Sequence, residues 1–132
     1  MTSPDVLPID PFYIPFPWVP GPRIGIVKLY NYSTPISPLD ANQVLSELAM
    51  VYHTEPPDKY CGIERRTYTA SSVTLVLDPD PALTWGILAK AGFVFPLFMS
   101  TYEYVGLSFE IVTLTEQSYG RVGRGIIAER VQ

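Results

Sequence analysis

The spacing of apolar and polar residues predicts four extended segments and two helices. Residues 23–32 alternate with apolar side chains on both faces, which is typical of an interior strand. Apolar residues recur every three or four positions across 39–52, which predicts an amphipathic helix. The segments 64–78, 106–115 and 121–131 are rich in β-branched or alternating apolar residues, so we expect strands there.

The start of the first helix is predicted by its capping residues. Ser37 can accept a hydrogen bond at the helix N-terminus, and Pro38 suits the first helical position. Asp40 adds negative charge to the first turn, where the helix dipole favours it. We expect this helix to run to about His53, before a proline pair.

The second helix is predicted from similar residues. Asp80 is the expected cap, and Pro81 the expected first-turn residue. The apolar pattern continues to about Met99. Pro96 is expected to kink or end this helix, because proline lacks an N–H donor.

The order of elements, β-α-β-α-β-β, predicts an α+β fold. Its sheet would have four to five strands, mixed or antiparallel, with two helices on one face. The strand number depends on residues 70–72, which either bulge or divide 64–78 into two strands. The last two strands are expected to pair as an antiparallel hairpin. We assign residues 23–132 to this single domain.

Residues 1–22 have a different composition and are assigned to an N-terminal arm. They contain seven prolines (4, 8, 11, 15, 17, 20 and 22) of the 14 in the chain, which predicts an extended, polyproline-like conformation. Disordered tails are usually poor in aromatic residues, yet this segment contains four. We therefore expect the arm to lie in a groove of its own domain or of a neighbouring protein, with these partner-binding residues: Phe12, Tyr13, Phe16 and Trp18.

The overall composition favours a protein whose surface is partly covered by a partner. Hydrophobic residues make up 47% of the 132 residues and charged residues 17%, against about 25% charged in an average domain. Such a chain has little polar surface, so we expect a homo-oligomer or a protein partner.

Charge and segment lengths argue against other partners. The net charge is −4, and the nine Lys and Arg residues are dispersed, which argues against nucleic acid and against anionic membranes. No apolar run reaches the roughly 18 residues that a transmembrane helix needs. The N-terminus does not have the pattern of a signal peptide, which predicts a cytoplasmic location.

His53 is the one candidate for a catalytic general base, because it is the only histidine. Cys61 lies eight residues away and could pair with it, with Asp58 or Glu64 as the orienting group. The alternative is a surface histidine and an inert cysteine. One histidine and one cysteine do not make a zinc site, so we predict no metal and no cofactor.

Two further motifs admit a chemical and a structural interpretation. Asp78 and Asp80 form a close carboxylate pair, but turn and capping roles explain both. The glycine-rich segment 120–125 has neither the spacing of a phosphate-binding loop nor that of a dinucleotide fingerprint. We interpret its glycines as a turn and as strand positions that a neighbouring group approaches closely.

A ligand pocket between helices and sheet is the alternative to an interaction surface. Tyrosine and tryptophan side chains can line such a pocket, and the candidates are Tyr30, Tyr52 and Trp85. The same residues are equally suited to a core or an interface.

Part of the chain resembles a pattern found in small uncharacterised fungal proteins. The resemblance covers about residues 72–127, and the pattern reads roughly LT[WY]G…FE[IV]…GxVGxG. The matching residues are Leu83-Thr84-Trp85-Gly86, Phe98-Met99, Ser108-Phe109-Glu110-Ile111 and Gly120-Arg121-Val122-Gly123-Arg124-Gly125. The resemblance implies an α+β fold and a fungal origin, and it implies no activity.

Two functions follow from these observations. The first is a non-enzymatic interaction or self-assembly module that uses the aromatic arm. The second is a small-molecule-binding protein or small enzyme with a pocket between helices and sheet.

Overall fold

The computed structural model describes residues 7–18, 23–114 and 119–130. Within these residues the strands are β1 (Phe12–Trp18), β2 (Arg23–Tyr30), β3 (Arg66–Thr69), β4 (Val73–Pro79), β5 (Leu107–Leu114) and β6 (Tyr119–Glu129). The helices are α1 (Pro38–Thr54), α2 (Trp85–Gly92) and α3 (Val94–Thr101).

All six described strands belong to one antiparallel sheet with the order β1-β2-β5-β6-β4-β3. The predicted α+β class is therefore confirmed, as is the hairpin of β5 with β6. The predicted number of four to five strands is wrong. One additional strand is β1, and the other arises because residues 70–72 divide the predicted 64–78 segment into β3 and β4.

One face of the sheet is packed against the helices, and we call it the covered face. Every second residue of the interior strands is buried there: Val27 and Leu29 of β2, Leu75 and Leu77 of β4, and Leu107, Phe109 and Ile111 of β5. Helix α1 packs on β3 and β4, whereas α2 packs on β1 and β2. The residues between these positions point to the opposite side, which we call the open face.

Helix α1 begins as its capping residues predict. The Ser37 Oγ accepts a hydrogen bond from the Asp40 backbone N at 3.2 Å, and Pro38 occupies the first turn. The Asp40 carboxylate also accepts a bond from the Ser72 backbone N at 3.0 Å, which links the helix start to the β3–β4 turn. Leu39 was expected on the apolar side of the helix but is 79% exposed.

The predicted start of the second helix is wrong by several residues. The cap is Thr84, whose Oγ1 accepts a bond from the Ile87 backbone N at 3.2 Å. The Asp80 backbone N instead donates to the Val122 carbonyl at 2.9 Å, which extends the contact between β4 and β6. Asp80 is therefore used by the sheet before a helix can begin.

The predicted second helix is divided at Phe93 into α2 and α3. Pro96 lies in the first turn of α3, where a missing N–H removes no intrahelical hydrogen bond. The expectation that Pro96 would kink or end the helix is thus confirmed by a break three residues before it.

The aromatic part of the predicted arm is strand β1, at one edge of the sheet. Its prolines 15 and 17 are compatible with an edge strand, where a missing donor removes no bond from a central ladder. The Phe16 ring lies over Gly25 of β2, and its side chain is only 5% exposed. Phe12 contacts the rings of Phe98 and Tyr102 on α3 and just beyond it. The segment is extended, as predicted, and docks on its own domain.

Phenylalanine also lies over glycine at the centre of the sheet. Phe109 is the cross-strand neighbour of Gly125, and its ring packs edge-on against Phe95 with centroids 4.8 Å apart. A Cβ added to Gly125 would overlap both the Phe109 ring and the Val76 carbonyl oxygen. The interpretation of this glycine as a site of close approach is therefore confirmed.

We expect Gly125→Ala to lower the free energy of unfolding by about 1–3 kcal/mol, because the added methyl group displaces the Phe109 ring or the β4 backbone. Urea denaturation measures the effect. Gly120→Ala is the matched control in the same strand, since a Cβ there meets no atom within 4 Å. Equal stability of the two variants would contradict the close approach at Gly125.

Phe16→Ala should lower the free energy of unfolding by about 3 kcal/mol, because it removes a buried ring from the sheet edge. Thermal and urea denaturation measure the change. Ile9→Ala is the control, since Ile9 is 88% exposed. A Phe16 variant as stable as this control would show that the ring is not part of the core.

Candidate functional site

The open face is arranged in rows, because strand register places one residue of each strand beside its neighbours on the next. Lys28 of β2 is paired with Glu110 of β5, which is paired with Arg124 of β6. Arg124 is in turn paired with Asp78 of β4. Arg65, just before β3, completes this line through an ion pair with Asp78. We call these five residues the charged row.

The signs of the charged row alternate from β2 to the edge at β3. Lys28, Arg124 and Arg65 are cationic, and the two carboxylates lie between them. Opposite charges on adjacent strands attract each other, so the row is consistent with the fold. It also presents a regular alternating pattern to anything that approaches the open face.

Arg65 and Asp78 form the best-defined ion pair of the charged row. The Arg65 Nε and Nη2 donate to the two carboxylate oxygens of Asp78 at 2.8 and 3.2 Å. The hydrogen bond from Arg65 lowers the pKa of Asp78 below its ordinary value. Asp80 does not share this site, because its carboxylate accepts from the Arg121 Nε at 3.0 Å. The two aspartates therefore hold separate ion pairs, and neither caps a helix.

Tyr30 lies beside the charged row on β2. Burial raises the pKa of its hydroxyl, and the charge of Glu110 and a hydrogen bond with it raise the pKa further. The Lys28 Nζ is 5.0 Å from the centroid of the Tyr30 ring. These contacts hold the tyrosine against the open face.

Apolar residues lie on both sides of the charged row. Between the row and the β5–β6 turn, the cross-strand neighbours are Pro15, Ile26 and Val112, then Pro17, Ile24, Leu114 and Tyr119. On the other side, Ile126 of β6 is next to Val76 of β4. Ile24, Ile126 and Tyr119 are 47%, 43% and 69% exposed. The open face is thus an apolar surface crossed by one line of charge.

A depression of about 340 Å³ lies on the open face. It is lined by Tyr30, Arg65, Val76, Asp78, Arg124 and Ile126. A second, apolar depression of about 240 Å³ lies between β1 and helices α2 and α3, beside the exposed Phe93 and Leu97. Both are surface features, whereas large side chains such as Phe95, Phe98 and Phe109 occupy the space between helices and sheet.

The predicted ligand-binding residues are not brought together. Tyr30 lies on the open face, whereas Trp85 is buried in the core beneath the covered face. Trp85 has a structural contact, because the Arg66 guanidinium lies 4.7 Å from its ring centroid. Tyr52 is in α1, and its side chain lies outside the described part of the structure.

The candidate catalytic pair is supported on neither side. His53 is in α1, and its side chain is also outside the described part. Cys61 is buried in the core and unpaired. Burial raises the pKa of its thiol to about 11, which removes the thiolate that a nucleophile needs. The interpretation of Cys61 as an inert cysteine fits this environment.

The predicted partner-binding residues have different positions. Phe16 is buried, and Phe12 packs on α3, so neither ring is free for a partner. Tyr13 points to the open face and is 53% exposed, next to Lys28 in the register. Trp18 ends β1, and its side chain lies outside the described part.

Sequence reasoning missed the charged row. Its members lie in four separate stretches of the chain, and a strand order is needed to unite them. A signal was present, since Lys28, Asp78 and Glu110 each interrupt a strand at a position between apolar core residues.

Comparisons with known proteins give no relative: no family model, curated protein or solved structure matches this chain. The resemblance to small fungal proteins therefore stays a prediction. Along the described ranges, no helix has both the length and the apolar character for crossing a membrane. The same residues contain no group of three His, Cys, Asp or Glu residues placed to hold a metal ion.

We expect Cys61 to react with iodoacetamide at pH 8 about a hundredfold more slowly in the folded chain than in denaturant. The reason is that raising the pKa from 9.0 to about 11 lowers the thiolate fraction. Because the folded-state pKa is the higher one, the corresponding stability is complete below pH 9 and is lost as the pH rises toward 11. Mass spectrometry measures the labelling. Equal rates would show that the thiol is accessible and ionised.

Proposed function

We propose that this protein is a non-enzymatic self-association module, and that its interface is the open face of the sheet. One observation carries the proposal: an uncovered sheet face on which apolar residues border a single charged row. Large apolar patches rimmed by polar residues are typical of interaction surfaces. An antiparallel sheet that faces water usually has polar residues on its outer side.

The composition supports the same conclusion. A chain with 17% charged residues has few polar groups to place on a second sheet face. The open face has instead retained isoleucine, valine and tyrosine at positions such as Ile24, Ile26 and Ile126. Covering these residues with a protein surface removes their apolar area from water, which is the main favourable term in association.

The aromatic segment contributes to this proposal in a changed role. Its phenylalanines stabilise the edge of the sheet from below, while Tyr13 extends the open face above. The segment therefore enlarges the interface by one strand. We no longer propose Phe12 and Phe16 as direct contacts.

The alternative function, a ligand or substrate pocket between helices and sheet, has less support. The candidate residues Tyr30 and Trp85 are separated by the sheet, and Cys61 is protonated and buried. The depression on the open face contains two arginines, but Asp78 already neutralises one of them.

Ile126→Asp should weaken self-association of the full chain by roughly thirtyfold or more, the effect of losing an interface hot spot. The reason is that the variant places a desolvated charge in the centre of the apolar surface. Sedimentation equilibrium over a wide range of protein concentration measures the dissociation constant. Leu39→Asp is the matched control, since Leu39 is 79% exposed on α1, away from the open face.

A wild-type chain that remains monomeric up to millimolar concentration would refute the proposal. Equal dissociation constants for the two aspartate variants would also refute it, because association would then not use the open face. Circular dichroism confirms that both variants are folded before the comparison is made.

A further inference from the structure

The charged row determines how two open faces can meet. In a twofold dimer each surface is its own partner, so every charge has to face a position on the same surface. With alternating signs along the row, most superpositions of two copies oppose like charges. The row therefore selects among the possible dimers.

Consider two open faces packed together with a twofold axis parallel to the strands. Each row then lies over the same row of the second copy, and the axis position decides which strands meet. If the axis ran along β6, Glu110 would face Asp78 of the second copy, and like charges would be opposed. An axis midway between two strands opposes unlike charges.

The midway position at the centre of the sheet lies between β5 and β6. There β5 faces β6, β2 faces β4, and β1 faces β3 of the second copy. Glu110 then faces Arg124 of the second copy, and Lys28 faces Asp78 of the second copy. At the edges, Tyr13 faces Arg65 of the second copy, a pairing of an aromatic ring with a guanidinium group.

The apolar rows are compatible with the same axis. Tyr30 of β2 lies over Val76 of the second copy, in a row that also contains Ile126. At the opposite end, Leu114 of β5 lies over Tyr119 of the second copy. Apolar residues thus face apolar residues on both sides of the charged row.

The available area also favours the central axis. Six strands about 4.8 Å apart, each about seven residues of 3.3 Å long, give a flat face of roughly 600 Å². A standard interface buries about 800 Å² of accessible surface per partner, so full overlap is needed. An axis displaced by one strand would leave two strands of each copy uncovered.

We propose that this protein forms a twofold dimer through its open faces, with the axis between β5 and β6, in which Lys28 of each copy pairs with Asp78 of the other. This inference rests on the proposed function and adds the partner, a second copy, and the register. Sheets packed face to face are usually rotated by about 30°, which keeps these neighbours in reach.

Charge reversal tests this register. Lys28→Glu alone should weaken the dimer at least tenfold, since two carboxylates then face each other twice across the axis. Asp78→Lys alone should do the same with two ammonium groups. An equimolar mixture of the two variants should regain a dissociation constant within about threefold of the wild type, because each copy supplies the charge that the other lacks.

The mixture distinguishes the interface from the fold. Each variant also changes contacts within its own chain, notably the Arg65 ion pair of Asp78. Mixing cannot repair such internal effects. The chain that carries both substitutions, K28E and D78K, is the second test, and it should regain the homodimer. Sedimentation equilibrium measures all four samples, and 1 M salt should reduce the differences between them.

The outcomes separate this inference from the proposed function. Recovery of the dimer in the mixture and in the double variant supports the central axis. If wild type dimerises and Ile126→Asp disrupts the dimer, but neither mixture nor double variant recovers, the open face is the interface and this register is wrong. If wild type does not associate, both proposals fail.

Discussion

The packing of all described helices on one face of the sheet is the constraint on which the rest of the molecule depends. The interior strands bury every second side chain there, and helix crossings cover that layer. The antiparallel sheet is wide enough that its second face remains without helices of its own. Hydrophobic burial has thus stabilised one side and left the other side available for association.

Close backbone approach allows this single core layer to be well packed. Phe109 lies over Gly125, and Phe16 lies over Gly25. In both cases a ring occupies the space of an absent side chain on the neighbouring strand. The rings thereby remain on the covered face, and the residues next to them on the open face need not contribute to the core. The two faces are consequently independent in their chemistry.

Local signals predicted the elements whose cause is local. Helix α1 starts at Pro38 because Ser37 caps it, and both residues are adjacent in sequence. The start of α2 was wrong because Asp80 bonds to Val122, a residue 42 positions away that no local pattern reveals. The same reason explains β1. Its prolines correctly excluded a central strand, but the ring of Phe16 and the glycine on which it packs belong to different strands.

The open face could be predicted only in part, for a reason that concerns topology. The alternation of residues shows that Lys28, Asp78 and Glu110 share one side of their strands, and this follows from sequence alone. Their adjacency requires the order β2-β5-β6-β4, in which strands distant in sequence become neighbours. That order converts separate charges into an alternating line, and only a line with alternating signs can select one register for a second copy. The specificity of this surface is therefore a property of the strand order, and the residues acquire it by folding.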